Sequence, residues 1–301
     1  MIQAHPKIFA LGTDYIKSIF DNEVFIEEKL DGSQFAFGRL NNQIYMRSKG
    51  AMLYKENPEK MFKSAIEYID SISHNLLNGV VYYCEYLGKP KHNTINYENI
   101  PKNNLCLFGM RYTDESFENI RKVLENHANY LNIDVAPLLY HGKIDSIDQV
   151  MSYLNSKSYL NNNINIEGIV VKNYHQKFLI GGQPMPFMAG KFVTEQFKEV
   201  HRERWNKEEK GKSKFEIFCE SFRTEARWNK SIFKLRDMNK IDNTPKDIGL
   251  LIKEIHNDIE IEEKEEIKEF LWKLYKQEII RKSTMGFPEY YKKYLAENNF
   301  Y

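Results

Sequence analysis

Glu28-Lys29-Leu30-Asp31-Gly32 closes an apolar run and reads Lys-x-Asp-Gly. A lysine whose surroundings remove part of its proton affinity presents a free amine, and a nucleotide α-phosphate is an electrophile that such an amine attacks. Alone, Lys-Leu-Asp-Gly is most often a polar hairpin turn, because short motifs recur by chance. Four further segments follow it in order and raise Lys29 above that reading: Arg47-Ser48-Lys49, Cys84-Glu85-Tyr86-Leu87-Gly88, Glu167-Gly168-Ile169-Val170-Val171-Lys172 and Gly190-Lys191-Phe192-Val193. Nucleotidyl transfer needs a nucleophile, cations against a triphosphate, and carboxylates for metal and ribose; these segments contain all three.

The elements that must position these residues are legible in outline. Val24–Leu30, Gln34–Leu40 and Ile44–Ser48 read as successive strands, separated by Asp31-Gly32 and Asn41-Asn42 turns. Val80–Leu87 and Leu105–Tyr112 are near-continuous apolar and aromatic runs, as buried strands require, and Ile164–Asn173 and Phe187–Val193 complete the set. Asn57-Pro58 predicts a helix start, with Phe62, Ala65, Ile66, Ile69, Ile72 and Leu76 on its apolar face. A second helix is expected near Phe117–Leu131, and Ser146 with Gln149 predicts a capping box for a third that runs to about Leu154. Glu167 and Lys172 are an odd number of positions apart, which an ideal strand would place on opposite faces unless Gly168 marks a bend. Beyond about Lys198 strand-like runs give way to helical periodicity, with Ile248, Leu251, Ile252, Ile255 and Ile259 on one face and Ile267, Phe270, Leu271, Leu274 and Ile279 on another; a last helix is expected from Pro288. The expected architecture is α+β: residues 1–197 form a nucleotidyltransferase domain of largely antiparallel sheets flanked by helices, and residues 198–301 a small all-helical C-terminal domain.

At its five segments the chain resembles the covalent nucleotidyltransferase superfamily of polynucleotide ligases and mRNA capping enzymes. Within it, the nearer resemblance is to ATP-dependent RNA ligases of the RNA ligase 2 type; the run Leu87-Gly-Lys-Pro-Lys-His-Asn-Thr94 is similar to members of that group. The resemblance covers roughly Phe25 to Val193. It implies three steps: adenylation of a lysine by ATP, transfer of AMP to an RNA 5′-phosphate, and attack by a 3′-OH that expels AMP. It implies Lys29 as the nucleophile, its pKa depressed by nearby cations, and Glu28 beside the adenine, with Asp31 and Gly32 shaping the turn. Arg47 would contact ribose or the phosphates of the RNA end, Glu85 the ribose hydroxyl, and Phe108 the adenine face. Glu167 would orient a hydrated Mg²⁺ (or Mn²⁺), and Lys172 and Lys191 would hold the α-phosphate. The family's last motif commonly carries two lysines one residue apart, whereas this chain has Lys191-Phe192-Val193; Lys177 or Lys198 could supply the second charge. The implied partners are RNA ends, in a nicked duplex or a broken RNA, and the implied role is RNA repair by a monomer.

Several residues keep a plainer reading. Arg47 is as well explained as an edge-strand charge, and Phe108 almost as well as a core aromatic. Lys89, Lys91 and His92 form a basic loop that either holds RNA phosphates or is simply solvated. Trp205, Trp228 and Trp272 read as core, and the remaining histidines as surface or satisfied core residues. Among 301 residues, 42% are hydrophobic and 28% charged with a net charge of +1, which excludes a uniformly basic surface but not a local groove. From Trp205 to Lys240 there are ten Lys/Arg against six Asp/Glu, a surplus that solvated helix faces also give. Cys84, Cys106 and Cys219 show neither metal-ligand spacing nor a disulfide framework, so a reducing, cytoplasmic setting without a disulfide-linked partner or a membrane span is expected. A DNA ligase, a GTP-using capping enzyme, or a non-catalytic RNA-binding protein on the same fold remain alternatives.

Overall fold

Short β-branched and aromatic runs punctuated by turns give the first part of the chain two large sheets and two two-stranded ones. In a computed structural model the described residues are 2–11, 13–92, 95–180, 183–193, 213–220, 222–223 and 225–298. In chain order the strands are β1 (Phe9–Ala10), β2 (Val24–Lys29), β3 (Ser33–Leu40), β4 (Gln43–Ser48), β5 (Met52–Leu53), β6 (Val80–Tyr86), β7 (Leu105–Tyr112), β8 (Asp134–Val135), β9 (Leu138–Gly142), β10 (Lys157–Ser158), β11 (Asn161–Asn165), β12 (Gly168–Asn173), β13 (Phe178–Ile180), β14 (Gln183–Met185) and β15 (Met188–Val193). One sheet runs β1-β15-β12-β2-β9 and the other β5-β4-β3-β6-β7-β8. Neighbours are antiparallel except β1 with β15 and β7 with β8.

Helices α1 (Lys63–Ser71) and α2 (Arg121–Tyr130) bury Ala65, Ile66, Ile69, Leu124 and Ala128 against Phe35, Phe37, Tyr82, Cys84, Leu107 and Met110 of the six-stranded sheet. That leaves the other face of this sheet, with Glu85, Cys106 and Phe108, to the second sheet. A short α3 (Ile147–Ser152) sends Val150 into the core under Ile26, Ile169 and Val171 of the five-stranded sheet.

Three expected boundaries move for physical reasons. Pro58 does not open α1: a 3₁₀ turn at Lys60–Phe62 precedes it, and neither Glu59 nor Phe62 supplies a side-chain cap. Residues 117–120 are spent on β7 rather than on α2, since Glu118 N–H donates to Met110 O and the Glu118 carboxylate accepts from Tyr112 and from Ile120 N–H. The run Ile164–Asn173 is two strands broken by a bend at Glu167. Ser146 does cap α3, accepting from Gln149 N–H at 3.2 Å.

Helices α4 (Lys214–Glu220) and α5 (Glu225–Asp237) belong to the same compact unit, Met1–Lys240; Ile241–Tyr301 forms a second. The boundary expected after residue 197 lies outside the described residues. In the second unit the two expected apolar faces belong to one helix, α6 (Ile248–Ser283), followed by α7 (Phe287–Glu297) with Pro288 in its first turn. Gly286 joins them at φ 86°, a left-handed conformation that favours glycine. Trp228 and Trp272, expected in the core, are exposed instead; Trp205 lies outside the described residues.

Candidate active site

Alternation along β2 puts Glu27 and Lys29 on one face and Glu28 on the other. β12 lies alongside with Gly168 opposite Lys29 and Val170 opposite Glu27, and β15 places Lys191 opposite Val170. Glu27, Glu28, Lys29, Val170 and Lys191 line a cavity that also takes in Ile8, Leu30, Glu85, Cys106, Phe108, Ala136 and Lys172. One end carries the charged pair of Lys29 and Glu85; the other carries the Phe108 ring beside the buried Lys172–Glu27 pair, an arrangement suited to phosphates at the first and a base at the second.

At the charged end Lys29 Nζ donates to both oxygens of Glu167, at 2.7 and 2.6 Å. The parity problem between Glu167 and Lys172 is resolved by the bend: Glu167 precedes the strand and escapes its alternation. Gly168 is needed there, because a Cβ would stand 2.1 Å from Phe192 O. The expected depression of the Lys29 pKa is corrected. Burial does pull it down, but Glu167, Glu85 and Asp31 outweigh burial and leave it above the ordinary lysine value. Anions rather than cations surround this amine. The same crowding acts on Glu85, whose pKa is raised to about 7, chiefly by burial and then by Glu167 and Asp31 against the pull of Lys29.

The turn after Lys29 is held from two sides. The Tyr97 hydroxyl accepts from Asp31 N–H at 2.8 Å, and the Asp31 carboxylate accepts from Ile95 N–H at 2.7 Å. Gly32 N–H donates to Glu85 at 3.1 Å, and a Cβ on Gly32 would sit 2.6 Å from Tyr86 O and 2.8 Å from Glu85 Cγ. Gly32→Ala is therefore expected to displace Glu85. The measured consequence would be about a tenfold weaker apparent affinity for nucleotide in a self-labelling titration, the loss of one hydrogen bond to a charged group.

At the Phe108 end Lys172, 1% exposed, donates to Glu27 at 2.6 Å and to Phe108 O at 2.5 Å, and stands 5.6 Å from the Phe108 ring centre. An ammonium has three donors, so one remains. Arg121 of α2 holds the other oxygen of Glu27 at 3.3 Å and Glu125 at 3.0 Å. Glu28, on the opposite face, is buried against Ser158 (2.5 Å) and Tyr159 N–H (3.2 Å).

A family model described as RNA ligase matches residues 22–184. The chain belongs to the RNA ligase family. A search of curated proteins gave no match. Among solved structures, a Naegleria gruberi RNA ligase with pyrophosphate matches at TM-score 0.50 and 19% identity over 67% of this chain and 59% of that one. An arginine-to-alanine mutant of a Naegleria gruberi RNA ligase, with ATP and Mn, matches at 0.50 and 17% over the same shares. The likeness at these identities is one of fold, and the chain spans about six-tenths of the length of those structures' chains.

Within this RNA ligase fold, not every residue singled out in the sequence reaches the cavity. Arg47 does not line it: its guanidinium donates to the carbonyls of Ser48, Ile2 and Lys49 at 3.0–3.2 Å. Lys177 is exposed and does not line the cavity, and Lys198 lies outside the described residues. His92 is buried with Nδ1 accepting from Gly88 N–H and Nε2 paired with Ser33, so it is no phosphate ligand, and burial lowers its pKa. Lys89 is bonded to Asp237 at 2.8 Å and Lys91 lies over the Phe233 ring. Glu27, Arg121 and Tyr97 are additions that the motifs do not announce. Only Glu27 leaves a signal in the sequence, since it alternates with Lys29 in β2. His5 also differs from the satisfied residue expected: its buried Nε2 has no partner among the described residues, and burial, with Lys172 nearby, lowers its pKa to about 3.

Proposed function

We propose that this protein is an ATP-dependent RNA ligase that joins 3′-OH and 5′-phosphate RNA ends through a lysyl-AMP intermediate, in RNA repair. The observation that carries the reading is Lys29, clasped by Glu167, at the charged end of a cavity whose other end has a ring and a donor–acceptor pair. In the first step Lys29 gives up a proton and its Nζ attacks the ATP α-phosphorus; the N–P bond forms as the bond to pyrophosphate breaks. AMP then passes to an RNA 5′-phosphate, and attack by a 3′-OH forms the phosphodiester and releases AMP. Lys191, beside the Lys29–Glu167 pair, supports charge developing on the phosphates. Solved Naegleria gruberi RNA ligases carry ATP with Mn, or pyrophosphate, and this supports the choice of nucleotide.

Lys172 is better suited to the base than to the phosphate. Its spare donor and the Glu27 carboxylate match an acceptor and an amino group side by side, the pattern of adenine N1 and N6, with Phe108 as platform. Phe108→Ala is expected to raise the KM for ATP about tenfold, the loss of one stacking contact. Among the described residues no group of three or more metal-ligating side chains is preassembled. Glu167 is a hard oxygen donor of the kind that would orient a hydrated Mg²⁺ or Mn²⁺ largely through water, which would add positive charge against the phosphates.

The test is sealing of an RNA strand break by the full chain with ATP or GTP, followed on a denaturing gel against an all-DNA break. ATP-dependent joining of RNA supports the reading. Equal sealing of DNA would point to a DNA ligase, preference for GTP to a capping enzyme, and RNA binding without any joining to a non-catalytic relative. Free thiols at Cys84 and Cys106 suit a cytoplasmic setting, and no helix among the described residues is long and apolar enough to cross a membrane.

A further inference from the structure

Residues 2–8 have no regular secondary structure, yet the segment they form is tied to both large sheets. Ile2 O accepts from Arg47 of β4 at 3.2 Å, Gln3 O from the Tyr83 hydroxyl of β6 at 3.3 Å, and Gln3 Oε1 from Arg111 of β7 at 2.7 Å. At the other end Phe9 and Ala10 pair with Gly190 and Lys191 of β15, and Leu11 N–H donates to Lys191 O at 2.9 Å. The segment thus passes from the six-stranded sheet to the five-stranded one, and Ile8 on the way lines the cavity that holds Lys29.

His5, 8% exposed, stands in this segment inside a cage of rings. Tyr83 and Phe108 each lie 5.1 Å from it, at 77° and 76°, with Phe117 at 5.7 Å and 87° and Phe187 at 5.8 Å and 66°. Burial and the Lys172 ammonium keep the imidazole neutral. A neutral imidazole has one proton, and the Pro6 carbonyl, 2.8 Å from Nδ1, can only accept it. Nε2 is then a bare acceptor, buried over Gly109 with no partner among the described residues. A bare buried nitrogen costs stability that an aliphatic side chain would not. What an imidazole has, and an aliphatic side chain lacks, is a flat ring that meets other rings edge to face.

Of the four rings around His5, only Phe108 lines the cavity. Lys172 holds the Phe108 carbonyl from within the sheet, and His5 holds the ring. We infer that His5 is a positioning residue of the nucleotide site: its ring braces Phe108 in the plane on which the base stacks, and the N-terminal segment is therefore part of that site. The inference rests on the reading of Phe108 as the adenine platform.

The test is calorimetric titration of the full chain, cleared of bound AMP by pyrophosphate and kept free of divalent cation. The titrants are ATP and inorganic tripolyphosphate, which has no base. His5→Leu fills the space without a ring and should weaken ATP binding about three- to tenfold, the size of one aromatic contact. Its affinity for tripolyphosphate should match the wild type, whereas a merely structural role would weaken both or neither. His5→Phe, which restores a ring, should recover most of the ATP affinity. His5→Leu/Phe108→Ala should bind ATP no more weakly than Phe108→Ala alone, because a brace has nothing to hold once the platform is gone. Should His5→Leu fail to fold, His5→Gln, which keeps a donor for Pro6 O but has no ring, carries the same comparisons. Unchanged ATP affinity in the ringless variant, equal losses for ATP and tripolyphosphate, no recovery in His5→Phe, or additive losses in the double variant overturns the inference. Self-labelling with ATP is read separately. A wild type that binds ATP but never labels defeats the ligase reading and leaves this inference standing, whereas one that binds no ATP defeats both.

Discussion

Glu167→Gln is expected to lower AMP transfer to Lys29 by about 10²–10³-fold, the usual effect of removing one charge-stabilising group from a preorganised site. The same variant should shift the pH dependence of whatever transfer remains. In the wild type the Lys29 pKa lies above its ordinary value because Glu167, assisted by Glu85 and Asp31, favours the ammonium more strongly than burial disfavours it. The attacking species is the free amine, so the rate rises as pH climbs toward that pKa. An amide cannot hold the ammonium as a carboxylate does. The rising limb should therefore move to lower pH even as the maximum falls. Transfer rates across a pH series in both proteins would check this, and an unshifted limb would mean that Glu167 does not govern the Lys29 proton.

Glu27→Ala is expected to cost about 3–5 kcal/mol of stability, read by urea unfolding, because it leaves Lys172 with a buried and unbalanced charge. Glu27 also holds Arg121, so the loss should extend to the docking of α2. Glu27→Leu combined with Lys172→Met should recover most of the stability, since a buried pair replaced by apolar groups is often neutral. Recovery of stability without recovery of ATP affinity would support a role in reading the base. Recovery of both would make the pair purely structural.

Strand alternation makes much of this site readable from the sequence. Lys29, Glu85, Glu167, Lys172 and Lys191 do line or border one cavity, and the sheets that carry them follow from short apolar runs and turn residues. The division of labour is less legible. Sequence order cannot show that Lys172 reaches Phe108 O while Lys191 stays near Glu167, because that depends on the cross-strand register of β2, β12 and β15. Nor can it show that Lys29 is ringed by carboxylates, since Glu85 and Glu167 lie far from it in the chain. Glu28 is next to Lys29 in the chain and lines the same cavity, yet pleating sends its carboxylate to Ser158 and Tyr159 N–H, while that of Glu27 meets Lys172. Arg47 is claimed by three carbonyls, one of them from Ile2, a contact across the N-terminal segment that no local pattern announces. On the helical side, amphipathic spacing locates α6 but cannot show that Trp272 remains in solvent.

The most direct measurement is incubation of the full chain with α-labelled ATP and a divalent cation, followed by denaturing electrophoresis, for the wild type and Lys29→Ala. Intact mass and a pyrophosphate pre-treatment come first, to clear any AMP already bound. The account predicts a labelled protein band in the wild type and none in Lys29→Ala. Equal labelling of both, or none in the cleared wild type, would contradict it.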